Sequence, residues 1–289
     1  MLAETTGGKL NIGELVLHHT ADAWTFGLEP FLVANLPRWP DLHLGPLTIN
    51  LSPTKHVVFL FITAFLVWLT MIVAGRSLKR QRAGENAPKG FGAAIEALVI
   101  YVRDEMAIAN IGETGAKFAP LILSLFFFIL YANVIGLMPH GSSATGNLAV
   151  TAALAIVVFF TVEVGGMIKL GPRGYVGTIF PQIPGITGVG AVLLAIFMAP
   201  IEILGKLVKP FALAVRLFGN MTAGHFVILS LFGIIAMFWN LVGWNLAIGA
   251  VTTALVVAIM LLELFVALLQ AYVFALLSAV FIGLMQHEH

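Results

Sequence analysis

The sequence predicts an all-α polytopic membrane protein: about five membrane-crossing helices plus one amphipathic helix on the cytoplasmic surface, the last two crossing helices long and strongly tilted. Three observations carry this. Hydrophobic residues make up 60% of the 289 positions and charged residues only 10%, against about 25% charged in an ordinary soluble domain. Several uncharged runs are long enough to cross a bilayer, for which about 20 apolar residues suffice. Lysine and arginine collect in alternate linkers, as membrane topology demands.

The elements follow in order. Residues 1–55, whose first thirty lack a basic start followed by an apolar run, do not read as opening with a cleaved signal peptide. They are expected to form an extracytoplasmic segment preceding a single membrane domain, 56–289. Nineteen uncharged residues between His56 and Arg76 make the first span, and the stretch after Lys117 makes the second. Residues 148–168 make a third, interrupted by Glu163. From 187 to 238 the chain is apolar again, roughly 75 Å of helix at 1.5 Å per residue. That exceeds twice the thickness of the hydrocarbon core, so the helix must tilt, bend or leave the membrane. Pro200 and Pro210 are the natural bending points. Residues 246–285 repeat the problem at roughly 60 Å.

Arg76, Lys79, Arg80, Arg82 and Lys89 fill one linker, and Lys169 and Arg173 another. The loops MPHGSSATGN and FWNLVGWN hold no lysine or arginine. This orients the N-terminus outside and the C-terminus in the cytoplasm, with Trp239 and Trp244 at the outer interface. Within 91–111, Glu96, Arg103 and Asn110 recur every seven residues and share a helical face. This suits a helix lying on the membrane surface; a shorter membrane-entering helix with a charged seam is the alternative.

Composition excludes several functions. A net charge of +1 lacks the basic excess of a nucleic-acid binder. With no cysteine there is neither a disulfide framework nor a thiolate metal site. His18, His19, His287 and His289 have no metal-binding spacing, and neither GPRGYVG nor GITGVGAV follows a strand as a phosphate loop would. No cofactor is expected.

The informative residues are polar groups inside apolar segments. On a helix of about 100° per residue, Glu202, Lys206, Lys209, Arg216 and Asn220 fall within roughly 80° of arc, and His225 lies roughly 180° from Arg216. Glu263 and Gln270, seven apart on the last segment, share a face. Counting inward from the turn that joins the two segments, Arg216 stands level with Gln270, and His225 with Glu263 nearer the outside. Two readings stand for most of these groups. Lys206 and Lys209 either snorkel to the interface or line a path. Glu202 is either a local partner of Lys206 or part of that path. Glu163 fits local pairing better than function. His225 and Glu263 are either a structural pair or an acid–imidazole relay. Arg216 resists the structural reading: a central arginine costs on the order of 3 kcal/mol on insertion scales and cannot discharge itself by losing a proton.

KPFALAVRLFGNMTAGH, at 209–225, closely resembles the signature of subunit a of the F-type ATP synthase, the stator facing the rotating c-ring. NVIGLMP at 133–139 and LLELFVALLQAYVFALL at 261–277 are similar to further motifs of that family. The resemblance covers residue 57 to the end. It implies that Arg216 meets the c-ring carboxylate, with Gln270 beside it and Asn220 one turn along. His225 and Glu263 are implied as the outer acid–imidazole pair, in the mitochondrial order, and Glu202 as the acidic position on the cytoplasmic side. Lys206 falls outside the family pattern. Gly136 stands where some relatives carry aspartate. The implied function is proton translocation coupled to ATP synthesis, in a chain that is not an enzyme by itself. The implied partners are the c-ring proteolipid, peripheral-stalk b subunits, the catalytic head and the lipid bilayer, in a bacterial plasma membrane. A self-contained ion channel or secondary transporter is the alternative. An intramembrane enzyme using His225 and Glu263 would need a nucleophile or metal motif that the sequence does not offer.

Overall fold

A computed structural model describes residues 25–28, 32–40, 42–44, 47–49, 52–82, 91–138, 141, 143–180, 188–238 and 245–287. Two antiparallel hairpins come first. β1 (Thr25–Leu28) pairs with β2 (Leu32–Asn35), and β3 (Leu42–Leu44) with β4 (Leu47–Ile49). The Ser52 hydroxyl then ties back to Trp39, accepting from its N–H at 2.9 Å and donating to its carbonyl at 3.2 Å.

The described elements after that are helices. α1 is Lys55–Arg82, α2 Phe91–Tyr101, α3 Gly115–Gly136, α4 Leu148–Ile179, α5 Val189–Phe238 and α6 Asn245–His287. Among the described residues four stretches are long and apolar enough to cross a membrane: Lys55–Val73, Gly115–Gly136, Leu148–Ile179 and Gly249–Gln286. α5 is longer still but carries Glu202, Lys206, Lys209 and Arg216. The helices show apolar surface that water would not tolerate, with Ile168 79% exposed, Phe197 71% and Val251 70%. Patches on this scale call for lipid or a partner, and the chain is a multi-pass, all-α membrane protein. Several hydroxyls inside these helices are satisfied locally: Thr63, Thr161, Ser230 and Ser278 each donate to the carbonyl four residues back. That arrangement hides a donor where no water is at hand.

α5 runs through Pro200 and Pro210 without leaving the helix. Each proline lacks an N–H and leaves the carbonyl four residues earlier without its ladder donor. α4 does break. At Gly171 the backbone turns to φ 70°, ψ 170°, a left-handed region that favours glycine. Pro172 follows and supplies no donor.

α2 ends in a π-helical stretch, Val102–Ile108, before a last α turn, Ala109–Ile111. The wider winding of a π-helix breaks the seven-residue alignment of Glu96, Arg103 and Asn110. Glu96 is buried, Arg103 pairs with its neighbour Asp104 at 2.7 Å, and Asn110 donates to the Met106 carbonyl at 2.8 Å. The three residues therefore do three separate things.

The chain divides into two compact units. One comprises residues 1–66, 129–147 and 218–270, the other residues 67–128, 148–217 and 271–289. In the first, the turn after α3 is held by a buried polar chain. Thr145 donates to Asn133 Oδ1 at 2.6 Å, Ser143 and Thr145 hydroxyls bond at 2.7 Å, and His56 Nδ1 contacts the Ser143 carbonyl at 3.2 Å. In the second, Val102, Ile122, Phe127, Leu217, Phe274 and Ile282 are fully covered. Trp239, Trp244, Lys89, His18, His19 and His289 lie outside the described residues, so the interface and metal readings attached to them do too.

Candidate functional site

In the first unit, α5 and α6 meet through polar groups. Asn220 Nδ2 donates to Gln270 Oε1 at 3.0 Å. One turn further along α5, Gly224 faces Glu263: a β-carbon at position 224 would lie 2.1 Å from Glu263 Oε1. Glycine is what makes room for the carboxylate. His225, half-buried, follows Gly224 in the chain, and among the described residues no hydrogen bond joins it to Glu263. Four buried polar atoms here have no hydrogen-bond partner: Thr222 Oγ1, His225 Nε2, Glu263 Oε1 and Gln270 Nε2. Buried polar atoms are nearly always paired, and exceptions cluster where chemistry or water exchange takes place. Thr222 is an addition to the expected set; nothing in its spacing singled it out.

The α5 residue bonded to Gln270 is Asn220, one turn beyond Arg216.

In the second unit, α4, α5 and α6 enclose a cavity of about 40 Å³ lined by Glu163, Glu202, Lys206, Lys209, Phe281 and Met285, among others. Water needs about 10–15 Å³ of such space, so one or two molecules fit. Glu163 is 9% exposed, and the Tyr175 hydroxyl donates to its Oε2. Residues twelve apart on a straight helix stand roughly 18 Å apart. Only the break at Gly171–Pro172 lets Tyr175 reach back. Lys206 Nζ donates to Thr178 Oγ1 at 2.7 Å and sits 4.8 Å from the centre of the Tyr175 ring, a cation–π contact. Lys209 Nζ lies 5.6 Å from the Phe281 ring centre. Among the described residues, neither lysine has an ion pair within 4 Å of Glu163 or Glu202.

Arg216 belongs to this same unit. It is exposed, and among the described residues its guanidinium makes no hydrogen bond or ion pair. Its surroundings on α5 are apolar and exposed too, Phe211 at 68% and Val215 at 42%. The helix buries Leu213, Ala214 and Leu217 instead. Of the predicted stripe, Lys209, Arg216 and Asn220 are exposed, while Glu202 and Lys206 sit at the border with the buried face and reach the cavity. The described residues include no cluster of His, Asp and Glu able to hold a metal ion.

Glu163 pairs within its own helix, as its position suggested, but nothing in the spacing singled out Tyr175 as its partner. The helix break that unites them was signalled by Gly171–Pro172, but its direction was not.

The family model described as ATP synthase A chain matches residues 57–283. The chain belongs to the ATP synthase A chain family. Among curated relatives, ATP synthase subunit a 2 of Chlorobaculum tepidum is 43% identical over 272 residues, covering 94% of this chain and 72% of that protein. ATP synthase subunit a of Myxococcus xanthus is 45% identical over 246 residues, 83% of this chain and 76% of the relative. That of Chloroherpeton thalassium is 41% identical over 273 residues, 94% and 77%. Membership makes the chain a membrane subunit of the ATP synthase complex. Gly136, the family position noted for aspartate in some relatives, has no space for a carboxylate here: a β-carbon would lie 2.4 Å from Ser143 Cβ and 2.7 Å from Met221 Cε.

Proposed function

We propose that this chain is the proton-conducting stator of a rotary ATP synthase, forming two offset aqueous half-channels against a ring of c subunits. The observation that carries this is Arg216. A guanidinium exposed on an apolar helix, with no partner among the described residues, needs an anion from another chain, because a lone charge in hydrocarbon is expensive. A carboxylate on a neighbouring ring of helices supplies one.

The remaining residues fill the sequence of events. A proton enters from outside at His225 and Glu263, whose unpartnered Nε2 and Oε1 accept and pass protons with water. It neutralises a ring carboxylate, which then crosses lipid uncharged. After nearly a full turn the proton leaves through the cavity at Glu202 to the cytoplasm. Arg216 keeps the arriving ring carboxylate ionised and bars direct passage. Arginine suits this better than lysine, which shifts its pKa readily when buried. The Asn220–Gln270 bond braces the two helices beside it. Each charge crossing 100 mV yields about 2.3 kcal/mol, too little for one ATP, so a ring must sum many steps.

In this reading the chain itself catalyses no bond change. Its partners are the c-ring proteolipid, peripheral-stalk b subunits and, through the complex, the catalytic head. It lies in a bacterial plasma membrane with residues 1–55 and the N-terminus outside, 56–289 acting as one membrane domain, α2 on the inner surface and the C-terminus cytoplasmic. The test is Arg216→Ala in membrane vesicles: ATP synthesis disappears while the c-ring and head still co-purify with the chain. Normal synthesis in that variant removes the reading. A purified chain that conducts ions in liposomes without partners would replace it with a self-contained channel.

A further inference from the structure

We propose that Glu163 is a second proton-carrying carboxylate of the cavity that also holds Glu202, with Tyr175 and Lys206 as its positioning residues. The proposal rests on the stator reading above and extends its exit route.

Geometry is the ground for it. Glu163 is nine-tenths buried yet lines a cavity with room for water. The Tyr175 hydroxyl takes one of its oxygens. Because that hydroxyl donates to Oε2, Oε1 is the oxygen left to take up a proton. The transfer balances simply. An ionised Glu202 takes a proton from the ring carboxyl and gives it to cavity water, that water gives one to an ionised Glu163 at Oε1, and Glu163 releases it to cytoplasmic water. Both carboxylates end ionised, as they began, and the ring carboxylate is left ionised for Arg216.

Lys206 serves at one remove. Its ammonium is spent on Thr178 and the Tyr175 ring, not on an ion pair with either carboxylate. It clamps the part of α4 beyond the Gly171 break, and with it the phenol that orients Glu163. The groups facing Glu163 are Tyr175 from α4 and Glu202, Lys206 and Lys209 from α5; α6 contributes only Phe281, Leu284 and Met285. Glutamate at 163 and lysine at 206 therefore work as one device, although Lys206 lies outside the family's pattern.

The test uses the whole ATP synthase in vesicles made proton-leaky by an ionophore, so that ring rotation limits ATP hydrolysis. Glu163→Gln should slow hydrolysis at least about threefold, modest for a general acid–base group because cavity water substitutes in part. Glu163→Asp should keep most of the rate, and added formate, a small proton carrier, should restore the Gln variant. Tyr175→Phe should fall between wild type and Glu163→Gln and also respond to formate. Wild-type rates in Glu163→Gln overturn the proposal. So do equally low rates in the Gln and Asp variants without a formate response, which is what a purely structural role predicts. If the Gln variant does not assemble, formate acceleration of Tyr175→Phe decides, and its absence overturns the proposal. Arg216→Ala in sealed, energised vesicles without the ionophore separates the two levels. Coupled synthesis surviving there removes the stator reading, whereas its loss beside a silent Glu163→Gln removes only this inference.

Discussion

The stretch of α5 ending at Leu217 and the stretch beginning at Phe218 belong to different units and treat their polar groups in opposite ways. Before the boundary, Lys206 is anchored by Thr178 and Tyr175, Lys209 rests on Phe281, and Tyr175 holds Glu163. After it, Thr222, His225, Glu263 and Gln270 each keep a buried polar atom without a partner. The contrast teaches what each part does. Under the proposed function, the tied groups hold their helices in place, whereas the unpartnered donors and acceptors exchange protons with water. Arg216, two residues before the boundary, is the exception on its own side: it is neither tied nor buried.

Substitutions can break this contrast or sharpen it. The largest effect belongs to Arg216→Ala, expected to abolish ATP synthesis in vesicles with subunit composition unchanged. Next comes Glu263→Gln, expected to cut proton-driven synthesis about a hundredfold, the lower range for loss of a general acid–base group. The check is proton flux measured beside ring retention: lost assembly with unchanged flux would make the Glu263 site structural. Gly224→Ala tests the same site by crowding, since its β-carbon would meet Glu263 Oε1. Misplacing a working group by about 1 Å can cost up to about a hundredfold, so a loss of about tenfold in synthesis rate is expected; wild-type rates would mean the carboxylate's placement is immaterial. The smallest functional effect is expected from Thr145→Val, which removes the donor to Asn133 in the turn after α3. Leaving a buried acceptor unpaired costs about 1–3 kcal/mol, so thermal stability should fall with synthesis nearly intact.

How much of this was legible in the sequence depends on what each feature needs. The spans were readable because the hydrocarbon core fixes a length and forbids charge. The approach of polar positions on α5 to Glu263 and Gln270 was readable because two consecutive antiparallel helices have linked heights. That Asn220 would be the residue bonded to Gln270 was not, since heights do not fix side-chain partners. The bond from Tyr175 to Glu163 was hidden for a different reason. Periodicity says where residues lie on one straight helix, and Gly171–Pro172 ends the straightness without stating the new direction. The π-helical turn at Val102–Ile108 likewise undid a seven-residue pattern that an α-helix would have kept in line. The hairpins within residues 25–49 had a local cue, the two residues Gly45 and Pro46 between leucine-rich strands, but hydropathy placed no element there.

The central claim is that the His225–Glu263 site and the Glu163–Glu202 cavity open to opposite sides of the membrane. Because the chain has no cysteine, a single introduced thiol reports its own surroundings, and thiols react as thiolates where water reaches them. Thr222→Cys and Leu284→Cys, one in each region, should be challenged in the assembled complex with a membrane-impermeant thiol reagent applied to one face of sealed vesicles at a time. Labelling of position 222 only from outside and of position 284 only from the cytoplasmic face is the predicted result. Labelling of both from the same face would contradict the two half-channels and favour one continuous pore.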